Sequence, residues 1–277
     1  MSTHRKTLAS SFLAIICASS CGATTIVFEV QKDCIILVAD SRRLVSSING
    51  LEDVRDDECK LANLGGKFGF AETGREGYDP ANLGDSVPEF HGTSEAVRTY
   101  KDLPDRDLLR VAERWAVQLR ELFGSFYRAD SSRLRSLAIR PQKDLLTGLF
   151  AGQDAYGYMK IYMVRLAISD DKAIALGQAP ISYAIYPFPR EQNPITLYST
   201  NPVTNELLEG KTDRAAAVGK LWKPEGRKIK PLNQEVQRLE FFAERTGDYD
   251  PEVHSPINAL LITRQGIKWI ENSTCRK

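Results

Sequence analysis

The sequence predicts an α+β domain with stacked layers, and three observations carry that prediction. Its predicted elements fall into segregated blocks, in the order strands, helices, strands, helices, strands. That order favours packed layers over a doubly wound parallel sheet. Two strand segments, Cys34–Ala39 and Ile257–Thr263, are almost wholly apolar, as strands covered on both faces are. Between Asp107 and Phe126, Leu108, Ala112, Trp115, Leu119, Leu122 and Phe126 recur at spacings of four and three. They form one apolar stripe on an amphipathic helix, which is core packing rather than chemistry.

Composition bounds the function classes. A chain of 277 residues is long enough to bury a substantial core, as one large domain or two small ones. Hydrophobic residues make up 42% and charged residues 26%, which excludes wholesale disorder. Lys plus Arg is 37 and Asp plus Glu is 36, a net charge of +1. That balance argues against a dedicated nucleic-acid or membrane-surface partner. No apolar run reaches the roughly 18 residues of a membrane-spanning helix.

The first residues read as an address. His4-Arg5-Lys6 supplies positive charge, Leu8–Ala18 is mostly apolar, and Ser19–Ala23 are small. This is the layout of a secretory signal peptide, with a buried core helix or a frayed N-terminus as the alternative. The predicted organisation is a signal peptide over 1–23 and a domain over 24–277, in a secreted or periplasmic protein. A cut after Ala23 makes Thr24 the new N-terminus. Cuts after Ser20 or Gly22 also fit, and Cys21 weakly resembles a lipoprotein site that lacks its usual Leu. Removal of this segment takes away Cys17 and Cys21 and leaves Cys34, Cys59 and Cys275. An export route permits disulfides, and Cys59–Cys275 is one candidate pair that spacing alone does not establish. Cys34, within an apolar run, reads as a buried thiol.

The remaining elements follow in order. Thr24–Val30 is β-branched and aromatic and reads as a strand. Gln31-Lys32-Asp33 turns it into Cys34–Ala39, which Asp40-Ser41-Arg42-Arg43 ends with charge. A third strand starts near Lys60, and Lys67–Ala71 is a fourth, followed by Thr73-Gly74. Arg75–Gly92 reads as a long irregular loop. Pro104 and Asp105 are start signals for the striped helix. Strands return at Leu146–Ala151, Met159–Ile168, Ser182–Tyr186 and Ile195–Tyr198. Helical signal covers Thr212–Trp222 and Asn233–Arg245, with a basic loop at Lys223–Lys230 between them. Ile257–Thr263 turns at Gln265-Gly266 into Ile267–Ile270.

Several chemistries lack their signatures. The histidines are His4, His91 and His254, with no His-x-x-x-His pair. There is no Gly-x-Ser-x-Gly elbow, no phosphate loop and no Gly-x-Gly-x-x-Gly. Asn272-Ser-Thr274 fits a glycosylation acceptor, which matters only in a eukaryotic secretory pathway.

Thr-Thr-Ile-Val at 24–27, Lys32-Asp33, Ala39-Asp40-Ser41-Arg42, Lys60 and Phe70-Ala-Glu-Thr-Gly74 together resemble a proteasome β-type subunit. Pro256-Ile-Asn-Ala-Leu-Leu-Ile-Thr-Arg-Gln-Gly-Ile-Lys-Trp269 is similar to the last strand pair of that family. The family belongs to the N-terminal nucleophile hydrolases. The resemblance implies a four-layer αββα sandwich, two sheets face to face with helices on both outer sides. It also implies a threonine nucleophile at the processed N-terminus.

The implied chemistry follows from the groups. A threonine hydroxyl needs a base to take its proton. A free α-amino group, with a pKa near 8 in peptides, is poised for that task. One N-terminal Thr therefore carries nucleophile and base, once the preceding bond is cut. By resemblance Thr24 is the nucleophile, and Asp40 is the carboxylate beside it. Lys60 is the lysine whose charge pairs with Asp40 and lowers the pKa of neighbouring groups. Gly74 offers its N–H to the oxyanion, Asp250 supports the amine from the other side, and Arg42 lines the site. Each also fits a structural role. Asp40 would be a strand-end turn, Lys60 a solvated edge lysine, Gly74 a turn glycine, and Asp250 a turn residue with Asp248 its close competitor.

The implied activity is hydrolysis of a peptide or other amide bond, with no metal or organic cofactor. Family members form rings, which implies a homo-oligomer, although the loop at 75–92 would alter such contacts. Three departures stand out. The interval from Asp40 to Lys60 is longer than usual. Val253 stands where a serine is usual, with Ser255 as a substitute. A second family serine, in a turn after the central strands, has no counterpart near Ile168–Asp171. The missing serines favour an alternative, a catalytically silent scaffold of the same fold, and the coincidence of Thr24, Asp40 and Lys60 argues against it. The bond before Thr24 follows Ala23, which suits a signal peptidase, so export itself would free the nucleophile.

Overall fold

The computed structural model describes residues 25–41, 43–46, 52–55, 59–74, 77–78, 90–103, 106–138, 144–188, 196–222, 231–250, 253, 255–270 and 275. The first half runs β1 (Ile26–Val30), β2 (Cys34–Asp40), β3 (Arg43–Ser46), β4 (Glu52–Arg55), β5 (Leu61–Leu64), β6 (Phe68–Gly74), β7 (Gly77–Tyr78) and β8 (Phe90–His91). Helices α1 (Gly92–Asp102), α2 (Leu108–Ala129) and α3 (Ser131–Leu137) follow. Then come β9 (Asp144–Gln153), β10 (Met159–Ile168), α4 (Asp171–Ala175), β11 (Ile181–Phe188) and β12 (Thr196–Ser199). The chain closes through α5 (Pro202–Glu209), α6 (Asp213–Leu221), α7 (Pro231–Thr246), β13 (Ile257–Thr263) and β14 (Gly266–Trp269).

The protein is α+β. Among the described residues the strands form two antiparallel five-stranded sheets, β12-β1-β2-β13-β14 and β11-β10-β9-β6-β5, and two short pairs, β3-β4 and β7-β8. β2 is the middle strand of the first sheet, and all seven of its residues are buried. Alternation along the strands divides the core. Phe28 and Leu37 of the first sheet join Leu149 and Ile161 of the second in one cluster. Val27, Ile36 and Val38 pack on the opposite face against Val236, Leu239 and Ala243 of α7. The other face of the second sheet packs on α2, where the Trp115 ring meets Phe70 and Phe150 at 5.4 Å.

The striped helix begins at Leu108. Its cap is Asp107, whose side chain accepts from the Arg110 N–H at 3.1 Å. Pro104 and Asp105 lie outside the described residues, as does the basic loop at 223–230. The stretch read as one long loop contains β7 and β8 and leads directly into α1. That helix is capped from another element: Glu72 of β6 accepts from the Thr93 N–H at 2.9 Å and from the Thr93 hydroxyl. A carboxylate there also suits the positive end of the helix. Gly92 makes this approach possible, since a Cβ would stand 1.9 Å from Glu72 Oε2. The long interval between Asp40 and Lys60 holds β3 and β4, paired from Arg43↔Arg55 to Ser46↔Glu52.

Cys59 and Cys275 form a disulfide, 216 residues apart in sequence. Cys34 is a free, buried thiol, and burial pushes it up to about 11. Among the described residues no helix is long and apolar enough to cross a membrane.

A carboxyl pair made of buried Glu29 and part-exposed Glu235 is expected to make the fold pH-sensitive. Glu29 on β1 is 5% exposed and faces Glu235 and Arg238 of α7. Burial first, then the Glu235 carboxyl, push Glu29 up to about 7. Burial opposes ionisation of Glu235, but its bonds to Arg238 and Glu29 outweigh this and hold it below the usual range. Burial, then Glu244, raise Glu240 to about 7 as well. Unfolded glutamate ionises near 4.5, whereas native Glu29 keeps its proton until about 7. Between those values the native state binds more protons, so stability falls as pH rises. Glu29→Gln is expected to flatten that fall and to gain about 1–3 kcal/mol over wild type near pH 8. Urea melts from about pH 5 to pH 8 measure it, with Glu240 leaving a residual slope.

Candidate active site

Asp40 ends β2, and its side chain is fully buried. Its Oδ1 accepts from the Thr25 backbone N–H at 2.9 Å, and the Asp40 N–H donates to the Thr25 carbonyl at 3.2 Å. Residue 25 is therefore held on both its backbone groups by Asp40. Lys60, one residue before β5, extends Nζ to 3.4 Å from Oδ1 and 3.5 Å from Oδ2. It is 1% exposed, so it is a buried partner rather than a solvated edge lysine. A buried charge without a partner is strongly unfavourable, and these two compensate each other. The Lys60 carbonyl accepts from the Glu72 N–H at 3.0 Å, which continues the β5–β6 ladder by one step.

Gly74 closes β6 at a φ of +109°. A Cβ there would meet the Leu145 carbonyl oxygen at 2.6 Å, so both backbone angle and space require glycine. Asp250 follows α7 and accepts from Asn201 Nδ2 at 2.8 Å. Asp248 instead is exposed and pairs with Arg245, which separates it from this arrangement. Thr24 and Arg42 lie outside the described residues.

A chain of three threonine hydroxyls runs between Thr25, whose N–H is held by Asp40, and Thr246, whose carbonyl is held by the Asp250 N–H. The Thr25, Thr204 and Thr246 hydroxyls follow one another at 3.4 Å and 2.7 Å. Thr246 donates its one proton to the Phe242 carbonyl at 2.9 Å. Thr204 must then donate to Thr246, and Thr25 to Thr204, because each hydroxyl has a single proton. The Thr246 carbonyl in turn accepts from the Asp250 N–H at 2.8 Å. Asn201 ties in the same region from a second side. Its Oδ1 caps α5, accepting from Val203 and Thr204 N–H at 2.8 and 3.3 Å, while its amide reaches Asp250. Asn201 is thus a buried polar side chain that joins the start of α5 to Asp250. Ser169 itself donates to the Ala179 carbonyl at 2.7 Å.

The structure brings Asp40 and Lys60 into contact and links them through Thr25, Thr204 and Thr246 to Asp250. Asn201, Thr204 and Thr246 were not foreseen. The signal for Asn201 was present: Asn followed by Pro is a helix start, with cap and first helical position in sequence. Val253 is 2% exposed, and the Ser255 hydroxyl donates to Glu244 at 3.4 Å. A separate cleft of about 710 Å³, lined by Gln31, Asp33, Cys34, Glu235, Thr263, Arg264 and Gln265, lies at the far ends of β1 and β2. It contains none of the predicted site residues.

Comparison of the chain with protein-family models and with curated proteins finds no match.

Removing one partner of the ion pair strands the other. Lys60→Met is expected to destabilise the fold by about 3–5 kcal/mol. The double variant Asp40→Asn, Lys60→Met is expected to recover a large part of that loss. Chemical denaturation of the three proteins at one pH measures both.

Proposed function

We propose that the chain is an exported N-terminal threonine hydrolase of the proteasome β-type fold, cleaving peptide or other amide bonds. The carrying observation is the hold of Asp40 on both backbone groups of Thr25, with Lys60 buried against the same carboxylate. This fixes the residue next to Thr24 beside an acid and a base. The core shared by both sheets, with α7 and α2 on their other faces, supports the four-layer αββα order. The Cys59–Cys275 disulfide supports export, since such bonds persist in oxidising compartments.

In this reading removal of residues 1–23 frees the Thr24 amine. The Thr24 hydroxyl oxygen bonds to the substrate carbonyl carbon, and the amine takes its proton. The Lys60 charge favours the deprotonated form of the oxygen, and Asp40 holds Lys60 in place. The Gly74 N–H donates to the oxyanion. Collapse breaks the amide bond, and the proton passes to the leaving amine. Water then releases the acyl group and restores the hydroxyl. Asp250, Asn201 and the hydroxyl chain position the amine side.

A silent scaffold of the same fold is the second reading. It is favoured by the apolar, buried Val253 where the family has serine.

N-terminal sequencing of the exported protein is expected to begin at Thr24; a start at Cys21 or Ala23 overturns the enzyme. A β-lactone is expected to acylate Thr24 in wild type and to leave Thr24→Ala untouched. Lys60→Ala is expected to slow labelling by about 10²–10³-fold, the range of a lost electrostatic stabiliser in a site. Equal labelling of all three proteins selects the scaffold.

A further inference from the structure

We propose that the Cys59–Cys275 disulfide is a redox latch that positions Lys60 against Asp40. The ion pair bridges two sheets. Asp40 ends the middle strand of the first sheet, whereas Lys60 precedes β5, an edge strand of the second whose ladder partner is β6. Local opening is favoured where backbone hydrogen bonds are least protected, and an edge strand is paired on one side only. β5 has only four residues. Lys60 is thus a fully desolvated cation at the type of position least suited to hold one.

The residue before it carries the counter-measure. Cys59 is bonded to Cys275, beyond β14, which is an edge strand of the first sheet. The disulfide therefore ties the residue before Lys60 to the part of the chain that follows β14. Cys59 also packs on the core cluster shared by the sheets, as do Ile267 and Trp269 of β14. Both cysteines are partly exposed, while Lys60 is not. A reductant can meet the latch without entering the site.

The chemistry is thiol–disulfide exchange. A dithiol attacks one sulfur as its thiolate, the S–S bond breaks and a mixed disulfide forms. The second sulfur of the dithiol closes on the first, and Cys59 and Cys275 leave as thiols. Two electrons pass to the protein, and the dithiol becomes a disulfide. The reverse exchange, with a disulfide-bearing partner, sets the latch. If Thr24 is the nucleophile, as proposed above, the reduced chain holds an unactivated threonine, and the hydrolase is completed only in an oxidising compartment.

A disulfide closing a loop this long also restrains the unfolded chain, so loss of stability alone is no test. The full exported chain, oxidised or treated with dithiothreitol, is instead compared well below its melting temperature. Near-ultraviolet circular dichroism checks that it is folded. Brief acetylation with N-hydroxysuccinimidyl acetate, followed by peptide mass mapping, reads each lysine. Lys60 acetylation is expected to rise by about tenfold or more on reduction, while exposed Lys67 and Lys220 stay unchanged, the signature of local opening. β-Lactone labelling of Thr24 is expected to fall by a similar factor, and Cys275→Ser to behave as the reduced protein. Should that variant not fold, the wild-type comparison decides. Unchanged protection of Lys60 in the reduced protein overturns the latch, and so does collapse of the whole fold on reduction. Absence of Thr24 labelling in the oxidised protein counts against the hydrolase and leaves the latch to be judged on Lys60.

Discussion

Two opposite charges with no exposed side-chain surface, Asp40 and Lys60, face each other across the space between two sheets. Neither is tolerable there alone, so every element that brings one must bring the other. β2 must end at residue 40 in its observed register, Ile257 opposite Asp40, because a slip of one residue turns the carboxylate to the opposite face. β5 must approach from the second sheet in step with β6, whose Glu72 N–H anchors the Lys60 carbonyl. Glu72 in turn caps α1, so the same strand that seats the lysine also seats a helix. The ion pair is a weak source of stability but a strong source of register.

How much of this was legible depended on what each residue had to announce. β2 was readable because a middle strand is covered on both faces and so becomes a continuous apolar run. α2 was readable because a helix with one covered face repeats its apolar residues. α1 and α5 are short and offer few apolar positions, and their starts are fixed by Glu72 and Asn201 rather than by a stripe. Asp40, Lys60 and Gly74 were reached through resemblance, and nothing in their spacing says that two of them touch. The hydroxyl chain was not legible at all. Thr25 and Thr204 are 179 residues apart, and Thr204 and Thr246 are 42 apart. Threonine is common, and no local pattern marks one that will meet another across elements.

The first sheet carries opposite polar devices at its two ends. At the start of β1 and the end of β2 lie Thr25 and Asp40, satisfied by backbone, lysine and hydroxyls. At the other end Glu29 meets Glu235, and a proton rather than a cation settles much of the conflict. α7 touches both, since Glu235 stands in its first turns and Thr246 is its last residue. One helix thus packs against a carboxyl pair at one end and completes the hydroxyl chain at the other.

The 216-residue separation of Cys59 and Cys275 has a temporal meaning as well. A ribosome makes the chain in one direction, at about 5–20 residues per second, so Cys275 is polymerised roughly 10–40 s after Cys59. Throughout that interval the nascent polypeptide already contains every residue of the first four strands, yet the sulfur that ties them to the far end does not exist. Maturation is therefore ordered by translation itself, with closure as a late event.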